Sequence, residues 1–142
     1  MEKYLIGHDI LGLIENYSGH NFSEENDFIK GCMHYYGLFG FRPDTTKAEE
    51  YFTEALKTYE YKGYVYYFLG FLYNNIHGDN EQAKEFFIES MQYPEEQQYL
   101  IEEYEHIIKL NKDDPWGLTR TIKDALYEYN QNNFENQNNF EK

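Results

Sequence analysis

Cys32 is the one cysteine among 142 residues, so no internal disulfide framework staples this chain. Cations are scarce too: 12 Lys+Arg stand against 26 Asp+Glu, a net charge of −14. Phosphate backbones are bound by neutralising them with Lys and Arg, and this chain would be repelled, which argues against nucleic acid and anionic membrane as partners. Long apolar runs are missing. The opening Met1-Glu2-Lys3-Tyr4-Leu5-Ile6-Gly7-His8-Asp9 loses its apolar run within three residues and reads as neither a secretory leader nor a membrane span, so a cytoplasmic protein is the expectation.

Chemistry-bearing constellations are equally sparse. Gly37-Leu38-Phe39-Gly40 lacks both the preceding strand and the following Lys-Ser/Thr of a phosphate loop. Glu103 and His106 sit at i, i+3 on one helix face, but a carboxylate-bridged iron site needs a second Glu-x-x-His on a facing helix, and no other histidine has a Glu three residues before it. With 19 Glu, carboxylate pairs arise by number alone and identify no acid–base site. Cys32 lies beside Met33 on an apolar face without a pattern of Cys or His, and reads as a buried structural thiol. We therefore expect no enzyme, no metal and no cofactor.

Rings are what the chain has in abundance. Sixteen Tyr and eleven Phe supply nearly all of an aromatic fraction of 20%, while hydrophobic residues together reach 41%. The core must be built from rings, and each phenol needs water or a partner, which favours a thin, elongated core over a deep one.

A 35-residue period orders these residues. Asp9, Asp44, Asp79 and Asp114 recur at that interval; four residues on come Leu13, Ala48, Ala83 and Leu118, and eight on come Tyr17, Phe52, Phe87 and Ile122. The last three copies stay in step through Ala55, Ser90 and Ala125, then Leu56, Met91 and Leu126. Each column set describes a helix: an Asp N-cap, then apolar residues at i, i+4, i+7 and i+8 on one face. Pro43 and Gly78 precede their Asp and break the helix before it, whereas Pro115 follows Asp114 at the first helical position. Asp79-Asn80-Glu81-Gln82 adds a capping-box pattern, with Gln82 reaching back.

Between the capped helices lie segments with a helical period of their own. One runs from about Ser23 through Phe28, Ile29, Cys32, Met33, Tyr36 and Phe39. Another carries Tyr64, Tyr67, Phe68 and Phe71 on one stripe and Tyr66, Leu69 and Tyr73 on the next; being apolar nearly all round, it should be the most buried helix. The third places Tyr99, Leu100, Tyr104, Ile107 and Ile108 among glutamates, a one-sided helix. Each repeat is then a pair of antiparallel helices, and no strand pattern remains.

Lys47-Ala48-Glu49-Glu50-Tyr51-Phe52-Thr53-Glu54-Ala55-Leu56 resembles the second helix of a Sel-one-like or tetratricopeptide repeat, and Gln82 to Met91 repeats it closely. Leu69-Gly70-Phe71-Leu72-Tyr73 is similar to the Leu-Gly-x-x-Tyr of the first helix in both families; the matching stretch of the earlier repeat reads Tyr36-Gly37-Leu38-Phe39-Gly40, with Gly40 at the expected Tyr. The resemblance, over roughly residues 28 to 126, implies an all-α, right-handed α-solenoid of antiparallel helix pairs, with repeats at about 23–60, 61–93 and 95–130 and an N-terminal capping helix at about 9–18.

It also implies a non-enzymatic scaffold or adaptor, whose concave wall, lined by the first helix of each pair, takes up a peptide or partner domain. On that wall Tyr64, Tyr67 and Phe71 would supply contact area and hydrogen bonds, with His34 from the preceding pair. The groove-side helices offer only Lys30, Lys62 and Lys109, too few for a carboxylate clamp, so a basic or neutral partner segment is favoured. Self-association through an uncovered end of the stack is a further expectation. The alternative is a helical regulatory or catalytic domain with a small-molecule site that motifs do not reveal. Trp116 reads as packed on the previous hairpin. Residues 131–142, where Gln131-Asn132-Asn133-Phe134-Glu135 recurs as Gln137-Asn138-Asn139-Phe140-Glu141, are expected to be a disordered Asn/Gln-rich tail.

Overall fold

The structure, a computed structural model, describes residues 27–37, 42–58, 62–110 and 117–141, with side chains through Asn133. Six helices make up the described residues: α1 (Asp27–Tyr36), α2 (Thr45–Thr58), α3 (Lys62–Asn75), α4 (Asn80–Ser90), α5 (Pro94–Leu110) and α6 (Leu118–Glu141). None of these residues is in a strand, so the fold class is all-α. No helix among them is long and apolar enough to cross a membrane. The expected capping helix at 9–18, the caps Ser23 and Asp114, and Trp116 lie outside the described residues.

Two of the period's Asp columns act as caps. Asp44 Oδ1 accepts from the Lys47 N–H at 3.0 Å, and Asp79 Oδ1 accepts from the Gln82 N–H at 3.0 Å, so the same bond opens α2 and α4. The capping box is not closed, because the Asp79 N–H donates instead to the Tyr73 carbonyl at 2.9 Å, folding the turn back on α3. Gly37 ends α1 with φ of 72°, its N–H on the Met33 carbonyl at 2.8 Å.

Helix α1 packs on α2 and α3 on α4; α2 also lies against α3, while α5 packs on α3 and α6 along α4 and α5. The contact inside each of the first two pairs is a phenyl ring lying on a glycine. A Cβ on Gly31 would come within 2.5 Å of the Phe52 ring, and one on Gly70 would overlap the Phe87 ring. Phe52 and Phe87 are one period apart, as the sequence has them. Their partners correct the register of the first repeat: Gly31 is the counterpart of Gly70, and Gly37, aligned with Gly70 on sequence alone, is the helix terminator.

The core is built from rings. Phe28 packs tilted on Phe52 and Phe68 at 6.2 and 6.1 Å, and Phe52 stacks on Phe68 at 5.0 Å, joining the first pair to α3. Phe71, Phe87 and Tyr104 meet edge to face at 5.4 Å, joining the second pair to α5. The buried Tyr104 hydroxyl lies 2.6 Å from Ser90 Oγ; since Ser90 donates to the Phe87 carbonyl at 2.6 Å, the phenol is the donor to Ser90. Nine of the fourteen residues of α3 are buried, so it is the central helix, as its pattern implies. Cys32 is buried among these rings, and burial pushes its thiol well above the usual range.

The third pair is tied on by polar groups. Asn80 Nδ2 and Thr121 Oγ1 both donate to Asn74 Oδ1, at 2.5 and 2.9 Å, linking α3, α4 and α6. The Gln97 amide donates to the Met91 carbonyl and to the Tyr129 hydroxyl. Glu96, 2% exposed in the first turn of α5, accepts from the Tyr64 N–H at 3.2 Å and from the Gly63 N–H, so a carboxylate of one helix caps the start of another. Helix α6 continues as backbone helix through 131–141, where composition predicts disorder; no Gly or Pro interrupts it, and propagation costs little once packing has nucleated the helix.

Gly70→Ala should cost about 1–3 kcal/mol by urea unfolding, because the methyl group pushes Phe87 off its seat. Gly78→Ala, with nothing within 4 Å of the new Cβ, should cost only about 1–2 kcal/mol for its positive φ of 70°. A Gly70→Ala protein as stable as the wild type would contradict the ring-on-glycine contact.

Burial raises the Glu96 carboxyl from 4.5 to about 7, against the two N–H bonds that lower it, with a small further rise from Glu95. An acid raised by folding opposes folding when ionised. Its penalty is complete above pH 7 and vanishes below 4.5, so stability should rise as pH falls through that window. Glu96→Gln should flatten this part of the profile relative to the wild type; parallel profiles would contradict the burial of this carboxylate.

Candidate functional site

The residues expected to line a groove do not form one. Tyr67 and Phe71 are 0% exposed, and they are corrected here to core. Their stripe on α3 is the one that α4 and α5 cover: Tyr67 packs on Tyr104 at 5.7 Å and Phe71 on Phe87 at 5.4 Å. Tyr64, at the helix start, is half-buried and meets Tyr99 edge to face at 5.7 Å. His34 belongs to the other pair, half-buried and stacked on Tyr51 at 5.4 Å. The Tyr67 hydroxyl, fully buried, has no hydrogen-bond partner; burial first, then the neighbouring Tyr36, Glu103, Tyr104 and Tyr99, pushes its pKa well above the usual range.

Of the other stripe of α3, Leu69 is buried, and Tyr66 and Tyr73 are half-buried. Tyr66 and Tyr73 stand seven residues apart, two turns along one face. Tyr93, from the turn after α4, stacks on Tyr66 at 6.0 Å; Tyr66 stacks on Phe86 of α4 at 5.9 Å; Phe86 meets Tyr73 edge to face at 5.1 Å; and Tyr73 meets His77 at 4.7 Å. All four Tyr and Phe rings are half-buried and His77 is exposed, so five rings from two helices and two turns form a continuous strip.

A carboxylate holds the Tyr73–His77 end of the strip. Glu49 of α2 accepts from His77 Nε2 at 2.8 Å and from the Tyr73 hydroxyl. The Tyr73 phenol is raised by that bond first, then by burial, then by the charges of Glu49 and Asp79. Tyr93 is pushed up to about 12, first by burial, then by Tyr66 and Glu89, by its bond to Tyr66, and by Glu96.

Matching Gly31 with Gly70 and Phe52 with Phe87 supplies a counterpart in the first pair. His34 and Tyr51 correspond to Tyr73 and Phe86, and there the Lys30 ammonium rests over the Tyr51 ring, 5.3 Å from its centroid. Glu103 is buried and His106 exposed, and no group of three or more His, Cys, Asp or Glu among the described residues is arranged to hold a metal ion. The alternation of two aromatic stripes on α3 is visible in the sequence; which of them α4 and α5 cover is not, because that depends on where Gly70 and Phe87 meet.

Tyr67→Phe should leave thermal stability unchanged or raise it by about 1 kcal/mol, since it deletes a buried hydroxyl that bonds to nothing. A loss of more than about 1 kcal/mol would mean that the hydroxyl has a structural partner. No protein-family model matches the chain, and no curated protein and no solved structure is similar to it.

Proposed function

We propose that the chain is a non-enzymatic interaction scaffold of the Sel-one-like or tetratricopeptide type, a right-handed stack of helix pairs that docks a basic or neutral segment of a partner protein. Support for the stacking comes from the caps at Asp44 and Asp79 and from the ring-on-glycine contact, each repeated in successive pairs. The docking surface in this reading is the strip Tyr93, Tyr66, Phe86, Tyr73 and His77, in place of the groove of Tyr64, Tyr67, Phe71 and His34. A single observation carries it: this chain buries its largest rings completely, yet leaves five rings in unbroken contact along one face, a surface of the kind that serves as a binding anchor.

The test is selection of peptides from a random display library on the immobilised chain, followed by direct titration of the winners. A Tyr66→Ala/Tyr93→Ala variant, shown to fold by circular dichroism, should lose at least about tenfold in affinity for them, the cost of truncating one or two aromatic anchors. Winners that bind the variant as tightly as the wild type would place the docking surface elsewhere.

A further inference from the structure

We propose that Glu96 is a proton-operated latch between α3 and α5: protonated, it holds the first turn of α5, and Tyr93 before it, against the start of α3; ionised, it lets them part. Because the closed latch seats Tyr93 on Tyr66, docking on the strip is proton-linked. That second step rests on the strip being the docking surface, and the latch itself does not.

Three features of the junction lead there. The carboxylate is 2% exposed and meets the N–H groups of Tyr64, at 3.2 Å, and Gly63, while no ion pair among the described residues neutralises it. A buried anion without a counter-charge gains from taking up a proton or from reaching water. Glycine permits the close approach: a Cβ on Gly63 would lie 2.5 Å from Glu96 Oε1 and 2.9 Å from the Ser90 carbonyl oxygen. Two oxygens bordering one spot favour the protonated carboxyl, which carries no charge to repel the carbonyl. Finally, the Glu96 N–H donates to the Tyr93 carbonyl at 3.1 Å, and Tyr93 stacks on Tyr66, so the start of α5 is tied to the end of the strip.

Around the junction, α3 brings Lys62 and Tyr64, α4 brings Glu89, the turn brings Tyr93, α5 brings Glu95 and Tyr99, and α6 brings Tyr129, bonded to Gln97. Lys62, the one cation of the set, forms no ion pair with Glu96, and Glu95 raises the carboxyl a little further. Tyr93, pushed up to about 12, stays neutral throughout. Released to water the carboxyl titrates at 4.5, and in the closed latch at about 7. The latch is therefore tightest below 4.5, loosens as pH rises through that window, and changes no further above 7, by on the order of a hundredfold in its closed-to-open ratio.

The test is hydrogen exchange of the ¹⁵N-labelled chain by NMR at about pH 5 and pH 7.5, read as protection factors so that the intrinsic pH dependence cancels. Protection at the Gly63, Tyr64 and Glu96 amides should lie below that at Phe52 of α2 and fall at least about tenfold between the two pH values. It should not respond to about 1 M urea, since a local opening exposes little surface. Glu96→Gln, a neutral side chain that still accepts the N–H bonds, should abolish the fall, and Glu95→Gln should keep it. No fall, a fall that persists in Glu96→Gln, or exchange at these amides as urea-sensitive as at Phe52 would overturn the latch. For the coupling, peptides selected on the chain should bind at least about threefold tighter at pH 5 than at pH 7.5, a margin that Glu96→Gln removes; His77, at the strip's far end, is present in both proteins. Binding that ignores pH while exchange behaves as expected would overturn the link to docking and leave the latch. Peptides indifferent to Tyr66 and Tyr93 would overturn the docking surface instead, and the exchange result would still decide the latch.

Discussion

The contact of Phe52 with Gly31 and of Phe87 with Gly70 determines most of what surrounds it. Without a Cβ on the glycine, the ring lies directly on the facing helix backbone, and the two helices of a pair approach as closely as a phenyl thickness allows. That approach fixes rotation as well as distance. With Phe52 and Phe87 turned inward, the residues just before them, Tyr51 and Phe86, are carried about 100° round the helix to its flank. Three residues after each glycine, His34 and Tyr73 stand on the matching flank. The outward ring pairs His34 with Tyr51 and Tyr73 with Phe86 are thus a geometric consequence of the inward contact.

The same logic says what was legible in the sequence. Caps at Asp44 and Asp79, and apolar columns at Ala48, Phe52, Ala83 and Phe87, are local patterns, and local hydrogen bonds and helix periodicity suffice to place them. Register between helices is not local. Gly37 aligns as well as Gly31 on residue type, and only the meeting with Phe52 distinguishes the packing glycine from the terminator. Tyr67 and Phe71 were expected outside for the related reason that both stripes of α3 are aromatic, so hydropathy gives no hint which one is covered. Glu96 left no signal at all: a buried cap offered by α5 to α3 is indistinguishable in sequence from its exposed neighbour Glu95.

Acidity has two roles in this structure that differ by place. At Glu96 a carboxylate is buried against backbone N–H groups, and its charge opposes folding at neutral pH while its geometry ties α5 to α3. Beside the strip, the partly exposed Glu49 accepts from His77 and Tyr73, and the exposed Asp79 caps α4, so there carboxylates tie elements together at little desolvation cost.

The most direct measurement is photochemically induced nuclear polarisation with a flavin dye, which reports the tyrosine and histidine rings that solvent can reach. The structure predicts polarised signals from Tyr66, Tyr73, Tyr93 and His77, and none from Tyr67 or Tyr104. Polarisation of Tyr67 with silence at Tyr66, Tyr73 and Tyr93 would show that the opposite stripe of α3 faces outward, and would contradict the docking strip at its root.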